Sequence, residues 1–410
     1  MNMVARNAVK AGGTALIAGV AAFFISIGPI HQANAAVAAA RAKNVASTPL
    51  IYGAWLPFWT TQAGQQEVAL NLNKLKEISP FSYKIVGNGT IIDDLKISSG
   101  AWNNWFLPVR QNGNKIIPTI AWFDANGIER VLSNGPQRRA LEDRVAALVR
   151  SNSFSGIDID FEGMYPATRP YYSLFIEGLA MRLHPAGEML TCTVVPRTPI
   201  DSLYVTPPKN IVYPENYPLL NKYCDEVRIM AYDQGTVDLK LDASKGNGTL
   251  YAPVADPDWV RKLIVYALQY ISPKKLMLGI PTYGYEWEVS WANGQTEYQR
   301  VRAFDFFGAM DRADTLGINP VRDNAGELSF TYASTTYIQE PPGLISYVSS
   351  TKPAIFNGSG ANTMTTFFVS FPDATSELQK VALAKEYGLR GVVFFKADGN
   401  IDPAIWNSLN

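Results

Sequence analysis

Between Ser155 and Glu162 the chain reads Ser-Gly-Ile-Asp-Ile-Asp-Phe-Glu, three carboxylates alternating with three large apolar residues. That is the period of a β-strand, so Asp158, Asp160 and Glu162 share one face and Ile157, Ile159 and Phe161 the other. At about 3.3 Å per residue the three acids span roughly 13 Å. A helical pattern over 138–150 precedes the strand and another over 167–183 follows it. A strand between helices belongs to a βα repeat, whose apolar side faces the helices while the other side lines a barrel or crevice. The carboxylates then point inward with no basic residue beside them in sequence. Burying them is costly, which marks a site rather than a stabilising feature.

Two plainer uses of such a strand fit less well. Acidic residues on a solvent-facing edge strand discourage aggregation, but this strand lies between two helices. A calcium loop of the EF-hand kind opens as Asp158-x-Asp160-x-Glu162-Gly163 does and needs a glutamate at its twelfth position. That position is Arg169. The remaining chemistry is a carboxyl of raised pKa assisted by neighbouring carboxylates, an arrangement that protonates a glycosidic oxygen.

Further strands are read at 51–59, 82–86, 115–123, 189–195, 226–232, 275–280 and 389–395, with a helix over 376–387 before the last. Eight strands with helices between most of them predict an α/β fold, a (β/α)8 TIM barrel. The rhythm breaks from about 288 to 373, where a helical run near 303–315 and a strand-like 327–332 lie among Gly, Pro, Ser and Thr. This is read as a small α+β insertion between the seventh and eighth strands of a domain covering 49–410.

The 36 basic residues balance 36 acidic ones, so no excess charge points to nucleic acid or acidic lipid. His31 and His184 are the only histidines, which disfavours a His-rich metal site and most Ser-His-Asp schemes; neither a metal nor a cofactor is expected. Cys192 and Cys224 have no zinc spacing. They lie on or just before consecutive strands, so a bridge is geometrically open, but two buried free thiols are the expectation.

At the N-terminus, Arg6 and Lys10 precede an apolar run over 11–30 and then Ala33-Asn34-Ala35. This describes a secretory signal over 1–35, with 36–48 as a linker. Removal after Ala35 would leave 34 basic against 36 acidic residues. The apolar run is also close to the ~20 residues that span a bilayer, so an uncleaved membrane tether is the alternative. Either places the body of the protein outside the cytoplasm, extracellular or at the cell surface.

Aromatic and acidic residues recur at the carboxyl ends of the strands, at Trp59, Trp122, Glu162, Tyr232, Asp233, Tyr283 and Trp287. Barrel sites form on that face, and aromatic rings beside a few polar groups suit a sugar. Trp102, Trp259 and Trp406 fall in loops or helices and are read as core. Asn88, Asn247 and Asn357 fit the N-glycosylation pattern, but Asn-Gly is first a turn signal.

Ser155–Glu162 resembles the D-G-x-D-x-D-x-E motif of glycoside hydrolase family 18, the chitinase-like barrels and their bacterial spore-cortex and cell-wall branch. Met230-Ala231-Tyr232-Asp233, Leu278-Gly279-Ile280-Pro281-Thr282-Tyr283-Gly284 and Lys385-Glu386-Tyr387-Gly388-Leu389-Arg390-Gly391 resemble it too, so the likeness runs over about 49–407. The resemblance implies cleavage of polysaccharides of β-1,4-linked N-acetylglucosamine, chitin-type or peptidoglycan. It also implies a retaining mechanism in which the substrate's acetamido carbonyl attacks its own anomeric carbon. Glu162 would protonate the leaving oxygen, Asp160 would accept from the acetamido N–H, Asp158 would couple to Asp160, and Tyr232 would donate to the acetamido oxygen. Asp233 would line the same sugar subsite. Trp59, Trp122, Tyr283, Trp287 and Phe395 would contact sugar.

Two positions depart from the family pattern. Ser155 stands where the first aspartate is usual, and Phe395 where a tryptophan usually floors the reacting subsite. Strand alternation also turns Arg228 inward with Met230 and Tyr232, where it is expected to offset the charge of Asp158. The competing function is a non-catalytic, carbohydrate-binding relative; retention of Glu162 favours the enzyme.

Overall fold

A computed structural model describes residues 49–292, 295–334 and 365–409. The expected signal segment and the linker lie outside the described residues. Among the described residues, no helix is long and apolar enough to cross a membrane.

Eight parallel strands close into a barrel: Ile51–Leu56, Glu77–Val86, Thr119–Trp122, Gly156–Phe161, Met189–Val194, Glu226–Met230, Leu276–Pro281 and Gly391–Phe395. The first strand pairs with both the second and the last, which leaves no open edge. The acidic strand is entirely buried. Ile157, Ile159 and Phe161 join the core between barrel and helices, with Phe161 stacked on Phe175 of the helix Arg169–Leu183 at 5.4 Å. Asp158 and Asp160, in register with Thr119 and Ala121, occupy the other face. Gly156 has no alternative, because a Cβ there would lie 2.2 Å from the Met189 carbonyl oxygen.

Prolines interrupt two of the expected strands. The second strand starts at Glu77, well before the expected Ser82, and runs through Pro80 beside an irregularity in its pairing. The third is split around Pro118 into Lys115–Ile116 and Thr119–Trp122. Trp102, Trp259 and Trp406 are core residues.

The insertion builds a five-stranded antiparallel sheet, which begins at Tyr283, earlier than the expected 288. The Tyr-x-Tyr-x-Trp alternation at 283–287 is therefore its first strand, not the tail of the seventh barrel strand. Residues 303–305 end a strand, and the helix spans Phe306–Thr315, capped by the Asp305 side chain on the Gly308 amide at 2.7 Å. Strands Leu328–Ser334 and Thr365–Phe371 complete the pairing at the centre of the sheet.

The cysteine expectation is corrected: Cys192 and Cys224 form a disulfide. Cys192 points from its strand toward the helical layer, and Cys224 follows the helix Tyr217–Tyr223 that packs there. The bridge thus pins a helix to the barrel across a separation of 32 residues. Replacing both cysteines by alanine is expected to cost roughly 3–4 kcal/mol of stability through the freed chain entropy of the unfolded state. Urea unfolding with and without reductant checks this; equal midpoints for wild type and variant would contradict it.

Candidate active site

The acidic strand delivers its carboxylates at three depths. Asp158, deepest and fully buried, accepts from Trp55 Nε1 at 3.1 Å, Thr119 Oγ1 at 2.8 Å and Thr193 Oγ1 at 2.8 Å. Asp160 is buried one layer up, and its Oδ1 has no hydrogen-bond partner. Burial, then the negative charges of Glu162 and Asp158, hold its carboxyl well above the usual range. Glu162 leaves the end of the strand half-buried at the mouth. Burial first, then Asp233 and Glu215, push its carboxyl up to about 7. One motif therefore holds a carboxylate in a nest of donors and a carboxylic acid at the rim.

Tyr232 and Asp233 follow the strand Glu226–Met230. Burial and the charges of Asp160, Asp233, Glu162 and Asp158 raise the Tyr232 phenol well above its usual range, so it stays a hydrogen-bond donor beside the acids. Asp233 adopts a left-handed backbone with φ 62°, which is costly for a residue other than glycine. Its Oδ1 accepts both the Tyr283 and Tyr285 hydroxyls, at 2.5 and 2.6 Å, and these anchor it. Phe395 stacks on Tyr232 at 5.2 Å and meets Trp55 and Tyr283 edge-on. The phenyl ring thus forms part of an aromatic floor at the barrel mouth.

Trp287 is half-buried, on the same insertion strand as Tyr283 and Tyr285, with its ring edge-on to Tyr285 at 5.6 Å. Trp59 is 40% exposed in a short turn after the first strand and lines an open recess of about 420 Å³ with Thr60, Thr61 and Gln66. It makes no ring contact with the aromatic floor. Trp122 is a correction: it faces the helices, fully buried, with its ring 5.5 Å from Phe161. Its strand carries Thr119 and Ala121 inward, so a tryptophan one residue further on must point outward.

The donors Trp55, Thr119 and Thr193 went unread, although their alternation along the barrel strands was a usable signal. Arg197 and Glu215 had none. Both are buried, with Arg197 Nη2 3.0 Å from Glu215, and they come from separate parts of a long loop. Arg197 also lines a cavity of about 130 Å³ with Asp233, Leu203, Tyr213 and Val237. Ser155 accepts the Ile116 amide at 3.2 Å, a structural use away from the acids. Among the described residues, no group of three or more His, Cys, Asp or Glu side chains could hold a metal.

The family model for glycosyl hydrolases family 18 matches residues 58–400. The uncharacterized glycosylase YvbX of Bacillus subtilis (strain 168) is 30% identical over 171 residues, 41% of this chain and 44% of that protein. Chitinase A1 of Niallia circulans is 24% identical over 365 residues, 79% of this chain and 48% of the relative. The chain thus spans about half the length of these curated relatives. The crystal structure of the Bacillus cereus spore cortex-lytic enzyme SleL superposes with a TM-score of 0.65 at 20% identity, covering 89% of this chain and 74% of that one.

Proposed function

Because the chain belongs to glycosyl hydrolase family 18, a family of glycoside hydrolases, we propose that it cleaves β-1,4-linked N-acetylglucosamine polysaccharide, chitin-type or peptidoglycan, with the substrate's own acetamido group as nucleophile. The observation that carries this reading is the pairing of a proton-bearing Glu162 at the mouth with Asp160 and a neutral Tyr232 below it. Glu162 gives its proton to the leaving oxygen. The acetamido carbonyl closes on the anomeric carbon, with the Tyr232 hydroxyl on its oxygen and Asp160 accepting from its N–H. Charge on the cyclic intermediate is offset by the acidic pair. Water, deprotonated by Glu162 in return, opens that intermediate with retained configuration.

Support for an exported protein comes from the basic and apolar pattern over 6–35 and from the disulfide, which persists in oxidising compartments. The polymer is tested by measuring reducing ends released from chitin oligomers and from purified peptidoglycan. Release from either supports the enzyme; binding with no product from any glycan points to the carbohydrate-binding reading. The pH dependence has a definite sign. Glu162 acts as an acid, so kcat/KM is expected to fall as pH rises through about 7. A basic limb near the ordinary glutamate range would contradict the assignment.

A further inference from the structure

Beneath the acidic motif lies a second charge cluster. Arg228 is fully buried on the strand Glu226–Met230. Its Nη1 donates to the Ser79 hydroxyl at 2.7 Å and lies 3.8 Å from Asp158 Oδ2. Its Nη2 donates to Glu77 at 3.1 Å and to Glu226 at 3.2 Å. Arg390, just before the last strand, donates to the same two glutamates. The Trp55 ring completes the surround, 5.6 Å from the guanidinium. Glu77 and Glu226 each begin a barrel strand, so this cluster sits at the opposite end from the groove. No substrate reaches it.

The two members of the acidic pair differ sharply in what surrounds them. Three neutral donors and the guanidinium converge on Asp158, whereas Asp160 Oδ1 is buried without any donor. Donors and a nearby cation favour a carboxylate; their absence in a buried place favours the acid. We propose that Arg228 is a positioning residue for the reaction: clamped by Ser79, Glu77 and Glu226, it keeps the charge of the acidic pair on Asp158 and thereby leaves the pair's proton on Asp160. The inference rests on the glycosidase reading for its kinetic consequences but not for the location of the proton. The cluster is balanced for the task. Burial and the Glu226 charge push Glu77 up to about 7, while against the cost of burial the Arg228 and Arg390 guanidiniums hold Glu226 below the usual glutamate range.

The test compares Arg228→Met with Arg228→Lys in the pH profile of kcat/KM. Removing the cation makes the pair harder to deprotonate, so the acid limb of the methionine variant moves up by about one pH unit or more. Its kcat falls about tenfold while KM stays within a few-fold. Arg228→Lys keeps the limb near its wild-type position. A folded methionine variant with an unmoved limb overturns the proposal. Wild-type protein labelled with 13C at the aspartate carboxyls gives a second reading that survives a variant that fails to fold. With Asp158→Asn and Asp160→Asn used for assignment, Asp160 is expected to stay protonated where Asp158 is ionised. Finding the proton on Asp158 overturns the proposal. A wild type that hydrolyses no glycan refutes the functional reading alone, since the carboxyl titration still locates the proton.

Discussion

Glu162→Gln is expected to lower kcat about a thousandfold, with KM changed only a few-fold. Glutamine keeps the size and the hydrogen-bonding reach of the side chain but has no proton to give to a glycosidic oxygen. The position is half-buried at the mouth of the barrel, so the loss should appear without a loss of stability. Thermal unfolding separates the two. The basic limb of the pH profile should disappear with the carboxyl, because that limb reports the loss of this acid's own proton. A variant retaining a tenth of wild-type activity would mean that a different group protonates the leaving sugar.

Asp160→Asn should cost about a hundredfold or more in kcat. Its carboxyl is buried, with no partner on Oδ1. Asparagine fills the same volume but has no carboxyl proton to pass to Asp158, so it cannot turn negative as positive charge builds on the cyclic intermediate. The loss should fall on kcat more than on KM, since that charge exists only near the transition state. Substrate binding to the Glu162→Gln background, with and without Asp160→Asn, checks this: near-equal affinities are expected. A large drop in affinity with an unchanged kcat would make Asp160 a binding residue only.

How far the sequence was legible depended on the kind of constraint. Alternation over Gly156–Glu162 places the three acids on one face, because successive side chains of a pleated strand point to opposite sides. The same alternation misled at Trp122. The aromatic neighbours suggest a strand end at the mouth, but the phase set by Thr119 sends the ring into the helical layer. Tyr283, Tyr285 and Trp287 form a visible run in the sequence, but their membership of the insertion sheet depends on pairing with residues 300–305 and 368–370, which no local pattern encodes. The Cys192–Cys224 bridge and the Arg197–Glu215 pair were hidden for the same reason. Each joins segments whose approach is set by the closed barrel. Arg228 was legible as an inward residue, whereas its two glutamate partners and Arg390 required the register of three strands.

The charge distribution of the site follows from its layering. Donors from three strands hold the deepest carboxyl, the middle one is isolated from donors, and the outermost is raised to near neutrality by burial and by carboxylates from two loops. That gradient suits a reaction that needs an acid at the rim and a negative charge held back beneath it.

The central claim, that the sugar's own acetamido group closes on the anomeric carbon above Asp160 and Tyr232, is tested most directly by digesting partially deacetylated chitosan and sequencing the new reducing ends. Every newly formed reducing end should be N-acetylated, because a sugar with a free amine has no carbonyl to form the ring. Glucosamine reducing ends released at a comparable rate would contradict the account.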